Sequence, residues 1–592
     1  MSLSAGAKKG LGMIVIIGIV AGGGLWANKN GYLGGKDVVA KVMGKKIELS
    51  NAAPLSSITS VAQLPFPSDN VLGVGEEYRV EHPAWNAFLG FEFANGGPVT
   101  TKGSIMEQQG ITNLKIIRED DFNKQVKDLV AYGGAWKQQG GNPRKGAQFI
   151  SVMLDGSAAY LKAAKNGLAP YGLHPVIVAS FGKSDGEDGF FGPKEWKEKP
   201  EKMKGKEVVF VLLDGDGNDP IKFATDNGVE INPDVTTHDP DKLNIIPAPD
   251  DNYLKAVDFF NNHTKVRKEI VRNGKKTGKF DEFEADAVAT WTPGDMRAFK
   301  GRGGVIGIVT TKDYYWQMPE AFITIKEWAD ANPKAVKSII KAGMLGGEQV
   351  KVHDKSLYRS CEIAAKIYQG TGEEKTAKYW YDNFRRHEIT DSKGQKVMVG
   401  GSMNFSLADM PVVFGLDRGD GGPAQSSYTA FSDALAALWP EKLSDYPKWE
   451  EIFYDRFIKE LVAEGGFNTD LAQKPTYNAA PIDKVLSSNS VDIVFVIGKS
   501  ALTDTGRKQL KQLFNTINTT TQKVNLIGHT DPSGNPVSNK ALSIARAVAA
   551  RDYLVQLGLD PARFDQVTGV GSDQPSGKGP AYDRRVTYEL GM

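Results

Sequence analysis

The sequence is nearly without cysteine: Cys361 stands alone among 592 residues. No intramolecular disulfide can form, and no cysteine lies near the N-terminus to carry a lipid. A chain this long can bury enough core to do without disulfides, so their absence does not exclude an oxidising compartment. An excess of one charge sign is also lacking. Lys and Arg total 72 against 71 Asp and Glu, a net charge of +1, and nothing in that balance advertises a nucleic-acid partner. No HExxH, CxxC, GxSxG or phosphate-loop motif is recognised and the seven histidines are scattered, so no enzyme, metal site or cofactor emerges. His529 is better explained as part of the turn it shares with Asp531. Glycine, by contrast, is abundant at 65 residues, which points to many loops and tight turns. Length sets a prior of about three or four structural units.

Long apolar runs are scarce as well, and the one at the N-terminus stands out. Leu11–Ala27, LGMIVIIGIVAGGGLWA, has no charged residue and follows Lys8 and Lys9. Its length is near the minimum for a bilayer-spanning helix. The basic tail favours a cytoplasmic N-terminus with the remainder exported, although Lys29 and Lys36 beyond the run weaken the bias. A cleaved signal peptide is the rival reading. Its best cleavage point, after Ala27, puts Leu25 where a small residue is wanted, so an uncleaved anchor is favoured. Trp26 suits a membrane interface, and Gly18 with Gly22 forms a GxxxG face. The expected order is a cytoplasmic tail (1–10), a transmembrane helix (11–27) and a periplasmic stalk and linker (28–70). The stalk has a small hairpin around Gly44 and a Pro/Ser-rich stretch over 51–70.

From Val71 to Gln317, apolar runs such as LKIIRE, AQFISVML, HPVIVASF, KEVVFVLL, DAVATW and VIGIVTT alternate with amphipathic stretches. That alternation predicts α/β structure with buried strands. From Pro319 to about Trp449 the spacing predicts mainly helix. Residues 71–480 form the predicted middle domain with its helical extension. Four stretches, PAWNAFLGFEFANGG (83–97), MKGKEVVFVLLDGDGNDPIKFATDNGVE (203–230), FEADAVATWTP (283–293) and PEAFITIKEWADANPKAVKSIIKA (319–342), resemble periplasmic solute-binding proteins of the nitrate, taurine and thiamine-precursor class. The resemblance implies a type II-like fold, two α/β lobes joined by hinge strands that close on a small solute.

In DGDGNDP a strand runs into a helix start, with Pro220 suited to the first turn. Backbone N–H groups there favour anions, but Asp214, Asp216 and Asp219 would repel one. The plainer reading is an acid-capped helix. A calcium loop is set aside, since Asp219 and Thr225 stand where a glycine and an acid belong. Trp85, Asn86, Asp155, Ser157, Asp216, Asn218, Thr290 and Trp291 fall at strand-to-helix junctions or in the matching stretches and are the candidate cleft residues. Tryptophans at such places are more often core than ligand wall. An acid-rich cleft suits an amine or hydroxylated solute better than nitrate or sulfonate.

The last hundred residues predict a βαβαβ unit: VDIVFVIG, a helix from Leu502, KVNLIGHTD, a helix bearing Arg546, and RRVTYEL. VDIVFVIGKSAL, GHTDPSG, NKALSIARA, GVGSDQP and DRRV together resemble the OmpA-like peptidoglycan-binding domain, shared with peptidoglycan-associated lipoproteins and flagellar stator B subunits. Asp583 departs from the usual N-R-R-V. The resemblance implies that 481–592 binds the diaminopimelate of a stem peptide, a zwitterion. Asp531 would accept from its ammonium and Arg546 would fork onto its carboxylate. Thr530, Asn539 and Ser543 flank the pair, and Arg584 or Arg585 closes the pocket. A purely structural Asp531–Arg546 pair is the alternative.

The whole reads as a non-enzymatic inner-membrane protein, mostly periplasmic. Its expected partners are peptidoglycan, the membrane, a small solute, and a membrane partner or second copy. Feeding an ABC permease is one competing role. A stator-like B subunit is another, although Leu11–Ala27 has no acidic residue to conduct ions. The topology is testable. A C-terminal alkaline phosphatase fusion should be active and the full-length protein should stay with membranes through a salt wash. Release as a shortened soluble protein would establish the cleaved signal instead.

Overall fold

The computed structural model describes residues 61–416, 421–472, 480–482, 485–491, 493, 495, 496 and 498–591. The Leu11–Ala27 run and the Gly44 hairpin lie outside the described residues. Among the described residues no helix is long and apolar enough to cross a membrane. Two compact units are present, one spanning 52–474 and the other including 475–592.

The first unit begins with β1 (Tyr78–His82), α1 (Leu89–Asn95), β2 (Leu114–Arg118), β3 (Phe149–Met153) and β4 (Pro175–Ala179). The chain then crosses to a second sheet. There it builds β5 (Gly189–Gly192), β6 (Lys206–Phe210), α2 (Asn218–Asp226), β7 (Ile231–Asn232), β8 (Leu243–Pro247), β9 (Ala287–Thr290) and β10 (Ile306–Thr310). It returns through 311–319 into β11 (Glu320–Ile325), followed by α3 (Pro333–Val352). The first sheet runs β2-β1-β3-β11-β4 and the second β10-β5-β9-β6-β8-β7. Each sheet is the centre of one lobe.

Burial explains why these runs are strands. Every residue of β3, β4, β9 and β11 is buried, which is the mark of strands covered on both faces. Parallel pairing joins β1 to β2 and β3, and β6 to β8 and β9. The strands beside the two crossings are antiparallel: β11 against β3 and β4, and β5 against β9 and β10. The two crossings themselves are stitched together. The Ser184 and Thr311 hydroxyls lie 2.6 Å apart, Gly186 N–H donates to Thr311 at 2.8 Å, and Ser184 N–H donates to the Met318 carbonyl at 3.2 Å.

The expected helical reading from Pro319 is corrected at its start. EAFITI is a central strand, because its β-branched and aromatic residues fill both faces of the first sheet. Helical structure begins only at Lys326. Residues 61–70, assigned by sequence to the linker, lie along this unit. Val61 packs with Ala408 and Leu471, Leu64 N–H donates to Gln349 at 2.8 Å, and Asp69 accepts from Arg359 at 2.9 Å and Lys366 at 2.8 Å.

The second unit contains β12 (Val485–Val491), α4 (Asp504–Asn518), β13 (Lys523–His529), α5 (Pro536–Gln556), β14 (Phe564–Gly571) and β15 (Val586–Gly591). Sheet order is β12-β15-β13-β14, with β13 and β14 parallel and β15 antiparallel to its neighbours. Leu510, Phe514, Leu526, Ala547, Leu554 and Tyr588 fill the core. Two elements differ from the expected βαβαβ order. The first strand lies upstream of VDIVFVIG, overlapping it only at Val491, and β14 adds a fourth strand. The inward positions of β14 include Gly569, where a Cβ would come within 2.3 Å of Ser543 Oγ. Its apolar alternation is therefore hidden by a close helix approach.

Close approach also sets the packing of α1 on α3. A Cβ on Gly346 would sit 2.0 Å from the Gly90 carbonyl oxygen, and one on Gly90 2.6 Å from Gly347 Cα. Gly346→Ala should therefore destabilise the first unit by about 1–3 kcal/mol, the usual range for overpacking. Thermal unfolding of the full-length protein would show a lower first-unit transition, and an unchanged one would contradict the packing.

Candidate functional site

In the second unit β13 delivers Thr530 and Asp531 into a turn, and α5 starts five residues later, capped by the Asn535 side chain accepting from Val537 and Ser538 N–H. The turn is braced from the helix. Asn539 donates to the carbonyls of Asp531 at 3.2 Å and Ser533 at 2.8 Å. Ser543 accepts from Gly571 N–H at 2.9 Å and donates to the Lys540 carbonyl at 2.8 Å. Thr530 N–H donates to the Gly571 carbonyl at 2.8 Å, leaving its buried hydroxyl without a partner.

Asp531 accepts from Ser533 N–H at 3.0 Å, from the Ser533 hydroxyl, and from Arg584 Nη1 at 3.0 Å. The Ser533 hydroxyl, then Arg584, hold its carboxyl below the ordinary aspartate value. Arg546 is only 2 % exposed. Its Nε donates to the Lys499 carbonyl at 3.3 Å and its guanidinium lies 5.2 Å from the centre of the Phe495 ring. Nη1 is buried with no acceptor. Burial, then the charge of Arg584, lowers its proton affinity, and Asp531 partly opposes them. Asp531 and Arg546 thus sense each other's charge without bonding. The alternative, a structural Asp531–Arg546 pair, is not formed, because Asp531 is taken by Arg584.

Thr530, Asp531, Arg546 and Arg584 come together, while Asn539 and Ser543 support the turn. Arg585 serves the neighbouring loop, donating to the Gln574 carbonyl at 3.2 Å and standing 3.9 Å from Asp583. Asp583 accepts from Ser576 N–H at 2.5 Å, which gives the unusual residue a local role. Phe495 and Lys499, which shape the Arg546 side, were not anticipated. Both lie in the VDIVFVIGKSAL stretch, but they contribute a ring face and a backbone carbonyl, which the motif alone does not assign to the site.

In the first unit the candidate cleft residues lie where the lobes meet, and all are buried. Asn218 of α2 reaches across to the Asp155 carbonyl and carboxylate, both at 3.1 Å. Trp291, just after β9, donates to the Ala84 carbonyl at 3.4 Å and stacks on Tyr253 with ring centres 3.7 Å apart. Trp85 Nε1, both Asn86 side-chain polar atoms, the Thr290 hydroxyl and both Asp216 carboxylate oxygens have no partner. Ser157 instead donates to the Leu154 carbonyl at 2.7 Å and holds its own turn.

The acid-capped reading of DGDGNDP holds for Asp214 alone, which accepts from Gly215 N–H at 2.7 Å. Asp216 and Asp219 accept no hydrogen bond, and Gly217 occupies the cap position of α2. Burial pushes Asp155 and Asp214 up to about 7, and Asp188, Asp216 and Asp219 well above the usual carboxylate range. Sequence reasoning missed Asp188 and Gln317, which lie on the two crossings between lobes. It also passed over GKSDG (182–186), which has GxSxG spacing. Ser184 there bonds Thr311 and accepts from Asp188 N–H at 3.1 Å, an arrangement that stitches the crossings.

The family model described as OmpA family matches residues 494–587. Outer membrane protein A of Bordetella avium is 32% identical over 126 residues, covering 20% of this chain and 64% of that protein. The chain therefore spans less than two thirds of that relative. Among solved structures, the periplasmic nitrate-binding protein NrtA from Synechocystis PCC 6803 is similar at 12% identity, with 69% of this chain and 91% of that chain covered and a TM-score of 0.43. The OmpA-like domain of FopA1 from Francisella tularensis subsp. tularensis is 25% identical, covering 17% of this chain and 69% of that one, with a TM-score of 0.15.

Proposed function

We propose that this is a single-pass inner-membrane protein whose second unit grips peptidoglycan and whose first unit presents a two-lobed, solute-binding-like cleft as a scaffold or sensor. The observation that carries the wall-binding reading is the buried, acceptor-free Nη1 of Arg546 beside the charge of Asp531. A buried guanidinium edge without an acceptor is unfavourable, and a ligand carboxylate supplies the acceptor. Asp531 is placed for the ammonium of the same diaminopimelate end, and the Thr530 hydroxyl is free for either group. Arg584 shares Asp531 now and is 45 % exposed along its side chain, so it can swing toward the ligand carboxylate. The OmpA family match over 494–587 supports this reading.

A transport role beside an ABC permease is the second reading. Copurification of a permease would favour it over ligand-dependent recruitment of another partner.

The full-length protein should sediment with diaminopimelate-type peptidoglycan. Asp531→Ala and Arg546→Ala should each weaken this about thirtyfold or more, the equivalent of the 2–5 kcal/mol typical when half of a buried charge pair is removed. Circular dichroism on the same samples should show folded protein; folded variants that sediment like wild type would sink the clamp. Asp531 is held below its ordinary value, so its contribution is lost only as pH falls through that lowered value. Sedimentation should therefore be unchanged from pH 7 to about pH 5.

A further inference from the structure

The junction between the lobes gathers carboxyl groups that the protein leaves short of hydrogen-bond donors. Asp155 comes from the turn after β3, Asp188 from the outgoing crossing, Asp216 and Asp219 from the start of α2, and Gln317 from the returning crossing. Each is at most 1 % exposed. Both carboxylate oxygens of Asp188, Asp216 and Asp219, and Oδ1 of Asp155, have no hydrogen-bond partner. Gln317 lies beside Asp155 and Asp219, yet neither its amide oxygen nor its nitrogen is partnered. Its amide N–H group favours those two carboxylates, whereas its amide oxygen needs a donor that ionised carboxylates do not supply.

Two buried lysines of this unit have their closest partners elsewhere. Lys183 donates to the Ser184 carbonyl at 2.7 Å and lies 3.4 Å from Asp185, and Lys222 is held by Asp226 at 2.8 Å. The lobes meet backbone to backbone here, since a Cβ on Gly156 would lie 2.2 Å from Gly215 N. Glycine on both sides lets them close fully, and Asn218 latches them through Asp155.

We propose that this junction between the lobes binds a small organic cation with more than one ammonium group, a diamine or polyamine, whose N–H groups satisfy Asp188, Asp216, Asp219 and the Gln317 oxygen. Three carboxylates with six open oxygens match several N–H donors better than one. An anion is repelled by the same charges. The inference rests on the two-lobed cleft reading and is independent of the wall clamp.

The test uses full-length protein in detergent at constant ionic strength, titrated calorimetrically with putrescine and spermidine, and with nitrate, taurine and magnesium as controls. Saturable binding of an amine and an upward shift in melting temperature are expected. Asp216→Asn with Asp219→Asn, and separately Asp188→Asn, should bind at least about tenfold more weakly. Because Asn relieves repulsion among buried acids, these variants should melt no lower than wild type, so the loss is not unfolding. A folded wild type silent to both amines, variants that bind as wild type does, or saturation by nitrate, taurine or magnesium alone would overturn the proposal. An amine-silent protein that still sediments with the wall overturns the cation site without touching the clamp.

Discussion

A buried charge has to be met by something, and the architecture of both units is organised around how that demand is answered. Where a buried ion has a structural task, the protein answers it internally. Lys351 meets Asp409 at 2.6 Å, and Lys268 meets Glu207 at 2.6 Å while His238 lies 2.9 Å from the same carboxylate. Such pairs fix packing because removing one partner strands the other. Arg546 and the acids between the lobes break that pattern in opposite signs. One places a donor edge with no acceptor, the other acceptors with no donor. Strands and turns hold both arrangements rigidly: Ser543 locks α5 to β14, and the crossings at 184–186 and 311–318 lock to each other.

Legibility in the sequence followed the kind of signal available. Buried strands announced themselves through continuous apolar runs, and six of them, from LKIIRE to VIGIVTT, are strands in the structure. EAFITI was absorbed into the helical pattern after it, since a six-residue run carries little periodicity of its own. β14 escaped because glycine stands at positions facing α5, where alternation would otherwise show apolar side chains. Asp531 and Arg546 were legible through a dense motif string. The partner of Asp531 was not: Arg584 arrives from the far end of the domain, and only the fold brings 531 and 584 within hydrogen-bonding distance.

The acids between the lobes were legible in character more than in detail. DGDGNDP announced concentrated acid, but helix capping was an equally economical use for it. Only the three-dimensional arrangement separates Asp214, which caps, from Asp216 and Asp219, which do not. Asp188 and Gln317 carried no signal, because each stands on a crossing whose neighbour in space is more than a hundred residues away in sequence. Ser157 shows the converse. Its position beside Asp155 suggested a ligand contact, while its hydroxyl is used within its own turn.

Closing the lobes with these acids inside has a proton cost that follows from the same constraint. Burial raises Asp155 and Asp214 to about 7, and raises Asp188, Asp216 and Asp219 well above the usual carboxylate range. These carboxyls are therefore protonated more readily in the closed form than when solvated. The sign is fixed by linkage. A closed form that binds more protons is favoured in acid, and it loses that advantage as pH rises through the raised values. At neutral pH, closure without a ligand draws protons from solution or confines repelling charges. A bound polycation replaces those protons with its own charge and removes both costs. Proton and organic cation would then compete for one junction, and the ligand would shift the lobes toward closure only by its preference for the closed form.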